Sequence, residues 1–257
     1  MTAPLRYEVE DGIAQLTFAR PARLNAFDFA MGEAYRTACL AAVADPDVSA
    51  VLISAEGPAF CAGGDIVAMS TAGVSGSEVT ASAHVIHEGI AALHGSSIPV
   101  VAAARGAVAG GGIGVLLAAD LVVAGPDLRV AGRYADVGLT PDLGVSTLLT
   151  RAVGETRALQ LLLTRRELDA TAALDWGFVA EVTDDPEARA LEIARAWRDG
   201  ATAAFGHAKQ LVRASSTRPF ERSLAEEAES IGRAYDTDDA QARIAAFSAR
   251  RSGRAEA

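Results

Sequence analysis

Up to Val182 the chain alternates short apolar segments with helical ones, and from Pro186 onward every segment carries helical periodicity. A chain so patterned must cover a sheet with its own helices and then spend its last quarter on helices alone, so the pattern predicts an α/β core with a helical C-terminal module. Residues 7–10 and 13–18 alternate polar with apolar across Asp11-Gly12, a hairpin signature. Residues 50–54, 99–104 and 121–124 read as short buried strands, and 179–182 as the last one. Helices are predicted over 29–43, 77–94, 155–163 and 170–176, with another leading through Leu116 and Ala119; the segment 73–76 reads as small and flexible. The helical region is predicted as 187–198, 201–214, 219–235 and 240–251. No internal repeat and no low-complexity linker interrupts the chain.

At 257 residues, 50% of them hydrophobic and 22% charged, the chain has enough apolar material for a sizeable core. Its formal net charge of -10 repels a polyphosphate backbone, and the only dense basic group is Arg250, Arg251 and Arg254, so a nucleic-acid partner is not expected. Cys39 and Cys61 are too few for a disulfide framework or a cysteine-only zinc site, which points to a reducing cytoplasm. Met1 to Arg6 contain no apolar signal core, and the longest apolar stretch, Ile98 to Asp120, is broken by Arg105 and by glycines, so no membrane span is expected.

Two glycine-rich stretches carry the chemistry. The first is Ala59-Phe60-Cys61-Ala62-Gly63-Gly64-Asp65-Ile66; the second runs from Ala107 through Gly110-Gly111-Gly112 to Gly114, directly after an apolar strand. One backbone amide from each could converge on a carbonyl oxygen and hold the negative charge that develops there. Glycine suits that task because the backbone can approach a ligand closely. The plainer reading is a turn at Gly63-Gly64 and a strand–helix packing point at Gly110-Gly111-Gly112.

In order and spacing these stretches resemble the crotonase, or enoyl-CoA hydratase/isomerase, superfamily. The resemblance also takes in Arg20-Pro21-Ala22-Arg23-Leu24-Asn25-Ala26, Ala119-Asp120-Leu121, Gly138-Leu139-Thr140-Pro141-Asp142, Leu149 to Gly154, and Ala172 to Val179. It implies a crotonase-type ββα spiral core, assigned to 1–195, and a C-terminal helical region, 196–257, that packs subunits into a homotrimer or homohexamer. The implied substrate is an acyl-CoA thioester, with coenzyme A part of the substrate rather than a cofactor and no metal. By position, Gly64 and Gly111 would be the oxyanion donors. Leu24, Ala26, Ala62, Asp65 and Ile66 would line the CoA path, and Phe247 and Arg250 match a C-terminal pair that reaches CoA, often across a subunit boundary. Ala68, Thr71 and Gly73 lie in the loop expected to shape the acyl pocket.

The resemblance breaks at the proton-transfer groups. Hydratase relatives carry two glutamates; the matching positions here are Gly114 and Tyr134. Asp142, after the proline of Gly138-Leu139-Thr140-Pro141, instead matches the single acid of the isomerase branch, which moves a 3-enoyl double bond into conjugation. Pro141-Asp142-Leu143-Gly144 also reads as a simple turn. His87, twelve residues before Pro99, resembles in spacing the histidine of the aroyl-CoA dehalogenase branch; His84 and His87 equally fit an ordinary helix face, and no third ligand suggests a metal. Asp136 and Glu88 read as surface charges. The expectation is therefore an acyl-CoA isomerase acting through Asp142. Hydration by other acids, aroyl-CoA dehalogenation and acyl-CoA binding without catalysis remain open alternatives.

Overall fold

The structure, a computed structural model, describes residues 3–255. In chain order the elements are β1 (Leu5–Glu10), β2 (Ile13–Phe18), α1 (Phe29–Ala44), β3 (Ala50–Ala55), β4 (Ala59–Cys61), α2 (Ile66–Ala72) and α3 (Gly76–Gly95). There follow β5 (Val100–Ala104), β6 (Ala107–Ala109), α4 (Gly111–Leu117), β7 (Leu121–Ala124), β8 (Arg129–Ala131), α5 (Val145–Val153), α6 (Glu155–Leu163), β9 (Glu167–Asp169), α7 (Ala170–Asp175) and β10 (Glu181–Val182). Four helices close the chain: α8 (Pro186–Asp199), α9 (Thr202–Ser215), α10 (Phe220–Tyr235) and α11 (Asp238–Ala255).

Successive strand pairs deal one strand to each of two sheets. The larger has the order β1-β2-β3-β5-β7-β10 and the smaller β4-β6-β8-β9. The β1–β2 hairpin is antiparallel and turns at Asp11-Gly12, both with positive φ, as its sequence signature demands. From β2 to β10 the large sheet is parallel. This is the superhelical turn of a crotonase-type spiral: strand to the large sheet, strand to the small sheet, then helix.

Parallel strands here are covered on both faces, which is why β3 and β5 read as unbroken apolar runs. Val51, Ile53, Val100, Ala102 and Ala104 face the main core, whereas Ala50, Leu52, Val101 and Ala103 pack with Ala190, Ile193 and Ala194 of α8. The first C-terminal helix therefore belongs to the core it covers. At α9, Lys209 reaches the carbonyls of Leu93 and Ile98 and the Asp120 carboxylate (2.8, 2.7 and 3.0 Å), while Arg213 pairs with Asp120 at 2.9 Å.

Several elements differ from the sequence expectation. The short strands β4, β6, β8 and β9 escaped it because three residues show no alternation, and each pairs only with chain distant in sequence. Helix α2 occupies the stretch before the 73–76 segment, and α3 begins inside that segment: Ser75 and Glu78 form a reciprocal capping box. Helix α5 follows the Asp142 turn directly, with Gly144 as its N-cap.

A polar knot fixes the segment that leads into the first glycine stretch. Asn25, fully buried and with positive φ, accepts from the Arg20 N–H at 2.8 Å and donates to the Glu56 and Ala59 carbonyls at 2.9 and 2.8 Å. The Asp65 carboxylate, 4% exposed, takes Arg23 at 2.9 Å, Arg20 at 3.2 Å and the Ala68 N–H at 3.0 Å, capping α2. Burial pushes its proton affinity up, but the Ala68 amide and the Arg23 and Arg20 guanidinium groups outweigh it, holding the carboxyl below its usual range. A carboxyl depressed in the folded state contributes stability that is present above its unfolded value and is lost as pH falls through its folded value. Asp65→Asn is expected to cost on the order of 2 kcal/mol at pH 7, between exposed and buried pairs. Urea unfolding at neutral pH and below about pH 4 should show that gap closing.

Candidate active site

The two glycine stretches meet because β4 and β6 are parallel neighbours and each ends in its glycine run. A Cβ at Gly63 would lie 2.9 Å from the Ala109 carbonyl oxygen and 3.4 Å from the Gly111 nitrogen, so the two segments touch backbone to backbone. The Gly63 N–H is taken by the buried Cys61 Sγ at 3.4 Å. The Gly64 N–H and the Gly111 N–H, the latter at the first residue of α4, meet no acceptor among the described residues. Both glycines line one cavity of about 210 Å³ together with Ala62, Ile66, Tyr134 and Asp142. The cavity thus holds two free amide donors, one of them at a helix N-terminus. Cys61, whose thiol burial pushes up to about 12, is a structural neighbour rather than a nucleophile.

Asp142 is delivered by the loop between the turn at Tyr134–Val137 and α5. Its Oδ1 lies 3.2 Å from where a Gly111 Cβ would stand, over the start of α4. The Tyr134 hydroxyl donates to Asp142 Oδ1 at 2.6 Å and accepts from the Asp142 N–H at 3.3 Å. Burial first, and the adjacent Asp142 charge second, push the Tyr134 phenol far above its ordinary value, so it stays a proton donor to the carboxylate. The next residue, Leu143, has φ of 48° and is buried; its side chain covers Gly111 and its N–H donates to His87 Nε2 at 3.1 Å.

The absence of a side chain at 114 has a direct steric cause. A Cβ there would stand 1.9 Å from the Leu143 carbonyl oxygen and 2.8 Å from its carbonyl carbon. The loop that carries Asp142 occupies the space a residue-114 side chain would need. Position 134, the other expected glutamate site, holds the phenol that touches Asp142.

Of the residues singled out in the sequence, Gly64, Gly111, Ala62, Ile66 and Asp142 come together on the cavity. Leu24 and Ala26 do not line it: Leu24 is exposed in left-handed geometry, its carbonyl accepting from the Ala62 N–H at 3.0 Å, and Ala26 is buried. The Asp65 carboxylate, expected along the CoA path, is turned instead into the polar knot, where two arginines hold it. Phe247 is exposed on α11 and does not line the cavity; Arg250 falls on the same helix with its side chain outside the described residues. Met69, Val79, Val137 and Leu139 form the apolar wall, not the expected Ala68, Thr71 and Gly73. Met69, Val79 and Val137 carried no signal, since each is an apolar residue of an irregular or helical stretch, while Leu139 stood in the Gly138–Asp142 motif without marking a wall. Asp136 lines the mouth, paired with Arg133 at 3.2 Å, while Glu88 is exposed and pairs with Arg36 at 3.0 Å.

The enoyl-CoA hydratase/isomerase family model matches residues 8–254. A protein named probable enoyl-CoA hydratase EchA14 from Mycobacterium tuberculosis is 37% identical over 74% of both chains. The trans-2-decenoyl-[acyl-carrier-protein] isomerase of Streptococcus mutans is 38% identical over 69% of this chain and 68% of its own. The crystal structure of an enoyl-CoA hydratase from Polaromonas sp. JS666 superposes with a TM-score of 0.89 at 30% identity, covering 96% of this chain and 97% of that one. The chain belongs to the enoyl-CoA hydratase/isomerase family and has its crotonase fold. It is an acyl-CoA-processing enzyme of that family.

If the 114 side chain is excluded by the Asp142 loop, Gly114→Ala should overpack this contact. It is expected to cost about 1–3 kcal/mol in urea unfolding. Gly114→Glu, which would restore one hydratase-type carboxylate, should disrupt the loop rather than confer hydration of a 2-enoyl-CoA.

Proposed function

We propose that this enzyme shifts the double bond of a 3-enoyl-CoA to the conjugated 2-enoyl-CoA, with Asp142 as the single acid/base and the Gly64 and Gly111 amides as the oxyanion donors. The observation that carries this reading is that one carboxylate, Asp142, stands over the Gly111 amide while the space for a second at 114 is filled by backbone. A thioester carbonyl seated between the two free amides would have its developing enolate charge stabilised, which acidifies C2. The Asp142 carboxylate takes a C2 proton, the electron pair moves through the dienolate, and the same carboxyl returns the proton at C4. No atom is gained or lost, and one base serves both steps. The Tyr134 hydroxyl bonds the Oδ1 side of the carboxylate, so Oδ2 is left for the shuttle.

The apolar wall of Ile66, Met69, Val79, Val137 and Leu139 suits an acyl chain, and this reading gives CoA to Ala62 and Ile66 on the cavity and to Leu24 and Ala26, the first of which is hydrogen-bonded to Ala62. Self-association supplies the remaining CoA contacts in this reading. Phe220, Leu224, Ile231 and Tyr235 of α10 and Ile244 and Phe247 of α11 are exposed apolar residues that support a homotrimer or homohexamer, in which Phe247 and Arg250 would reach a neighbouring subunit's ligand. Among the described residues no helix is long and apolar enough to cross a membrane, and both cysteines are free and buried, which suits a reducing cytoplasm.

Turnover of 3-enoyl-CoA thioesters, followed by absorbance of the conjugated product, tests the assignment. Asp142→Asn should lose about 10²–10⁴-fold in kcat while still binding CoA esters. Tyr134→Phe removes the hydrogen bond to the Asp142 carboxylate together with the longer one from its N–H, and should cost roughly 1.5–3 kcal/mol, about 10–150-fold in rate. A wild type inactive on every chain length would sink the isomerase reading. For assembly, Ile231→Asp should shift sedimentation from the oligomer to the monomer.

A further inference from the structure

We propose that His87 is a positioning residue for Asp142, acting through the backbone of Leu143; the inference rests on the reading of Asp142 as the acid. Leu143 is held at three points. Its side chain packs over Gly111, its carbonyl abuts Gly114, and its N–H donates to His87 Nε2 at 3.1 Å. It is also a non-glycine residue at φ 48°, a conformation that costs an ordinary side chain roughly 1–2 kcal/mol and persists only where the surroundings over-determine it. Of the three contacts, two are steric and only exclude; the His87 bond is directed and comes from a distant element, whereas the carbonyl of the same peptide unit, that of Asp142, accepts locally from the Val145 N–H at 2.9 Å. Leu143 is buried, so without His87 its N–H would be left without an acceptor.

The bond also fixes the chemistry of the imidazole. To accept at Nε2 the ring must be neutral with its proton on Nδ1, and the lone pair that would take a proton from water is already engaged. His87 is thereby cast as a hydrogen-bond acceptor for the protein itself. It is well placed for that role. Helix α3 is anchored at one end by its capping box and at the other by Ser96, whose hydroxyl donates to the Leu93 carbonyl at 3.0 Å, and Ile86 and Ile90 on either side of His87 are buried in the core. The histidine is half-buried on a rigid element while the acid rides on a loop, so the helix references the loop. Tyr134 fixes the Asp142 carboxylate and amide, and His87 holds the N–H immediately after.

The test compares His87→Leu, which cannot accept, with His87→Gln, whose Oε1 can replace Nε2. Two readouts are taken on the full-length protein: kcat and KM on a 3-enoyl-CoA, and hydrogen–deuterium exchange of the peptide spanning 139–148. His87→Leu is expected to lose about 100-fold in kcat with KM unchanged, as for a reacting group displaced by an ångström, and to lose exchange protection in that peptide. His87→Gln should recover most of both. Equal impairment of the two variants would overturn the proposal and assign the imidazole a proton-transfer role of its own. Wild-type protection of the loop in His87→Leu would overturn it as well, whatever the kinetics. Should the wild type turn over no 3-enoyl-CoA, the isomerase reading fails by itself, and the exchange comparison still decides whether His87 holds the loop.

Discussion

The geometry of the candidate site depends on one close approach: Leu143 lying against the face of α4, its backbone at Gly114 and its side chain at Gly111. Packing this tight is possible only where the helix has no side chain, because a Cβ at Gly114 would lie 1.9 Å from a carbonyl oxygen, far inside van der Waals contact distance. The contact has two consequences that cannot be separated. It brings the Asp142 carboxylate over the amide end of α4, and it fills the volume in which a second carboxylate could otherwise stand. The lack of a carboxylate at 114 is thus a property of backbone packing as much as of residue identity at that position.

The rest of the molecule is organised to keep that approach in register. The parallel β4–β6 pairing aligns the two glycine runs, and the Asn25 and Asp65 knot holds the first of them from behind. Tyr134 and His87 then hold Asp142 and Leu143, one through the carboxylate and amide of the acid and one through the next N–H. Both are directed hydrogen bonds in a partly buried setting, where loss of a partner costs more than the net worth of the bond. A loop residue gains in this way the fixity that a catalytic carboxylate on a helix would have for free.

Much of this was legible beforehand, and the exceptions share a cause. The hairpin, the strands β3, β5 and β7, and the C-terminal helices were readable because each is long or periodic enough to carry its own pattern. The small sheet was not, since its three-residue strands are defined by neighbours distant in the chain. Gly64, Gly111 and Asp142 stood out through their sequence contexts. The partners of the Asp65 carboxylate were not legible, because a carboxylate beside a glycine run looks the same whether it faces a ligand or arginines 42 and 45 residues away.

By itself the sequence determined the fold family, the two glycine runs and the lack of carboxylates at 114 and 134, all of which follow from residue types in fixed order. Only the tertiary structure decided why those carboxylates are missing, which residues wall the cavity, and what Tyr134 and His87 touch. His87 and Leu143 are separated by 56 positions, and Gly114 and Leu143 meet through the packing of a helix on a loop. Contacts of that kind depend on how covered sheets stack their connections, and no local periodicity encodes them.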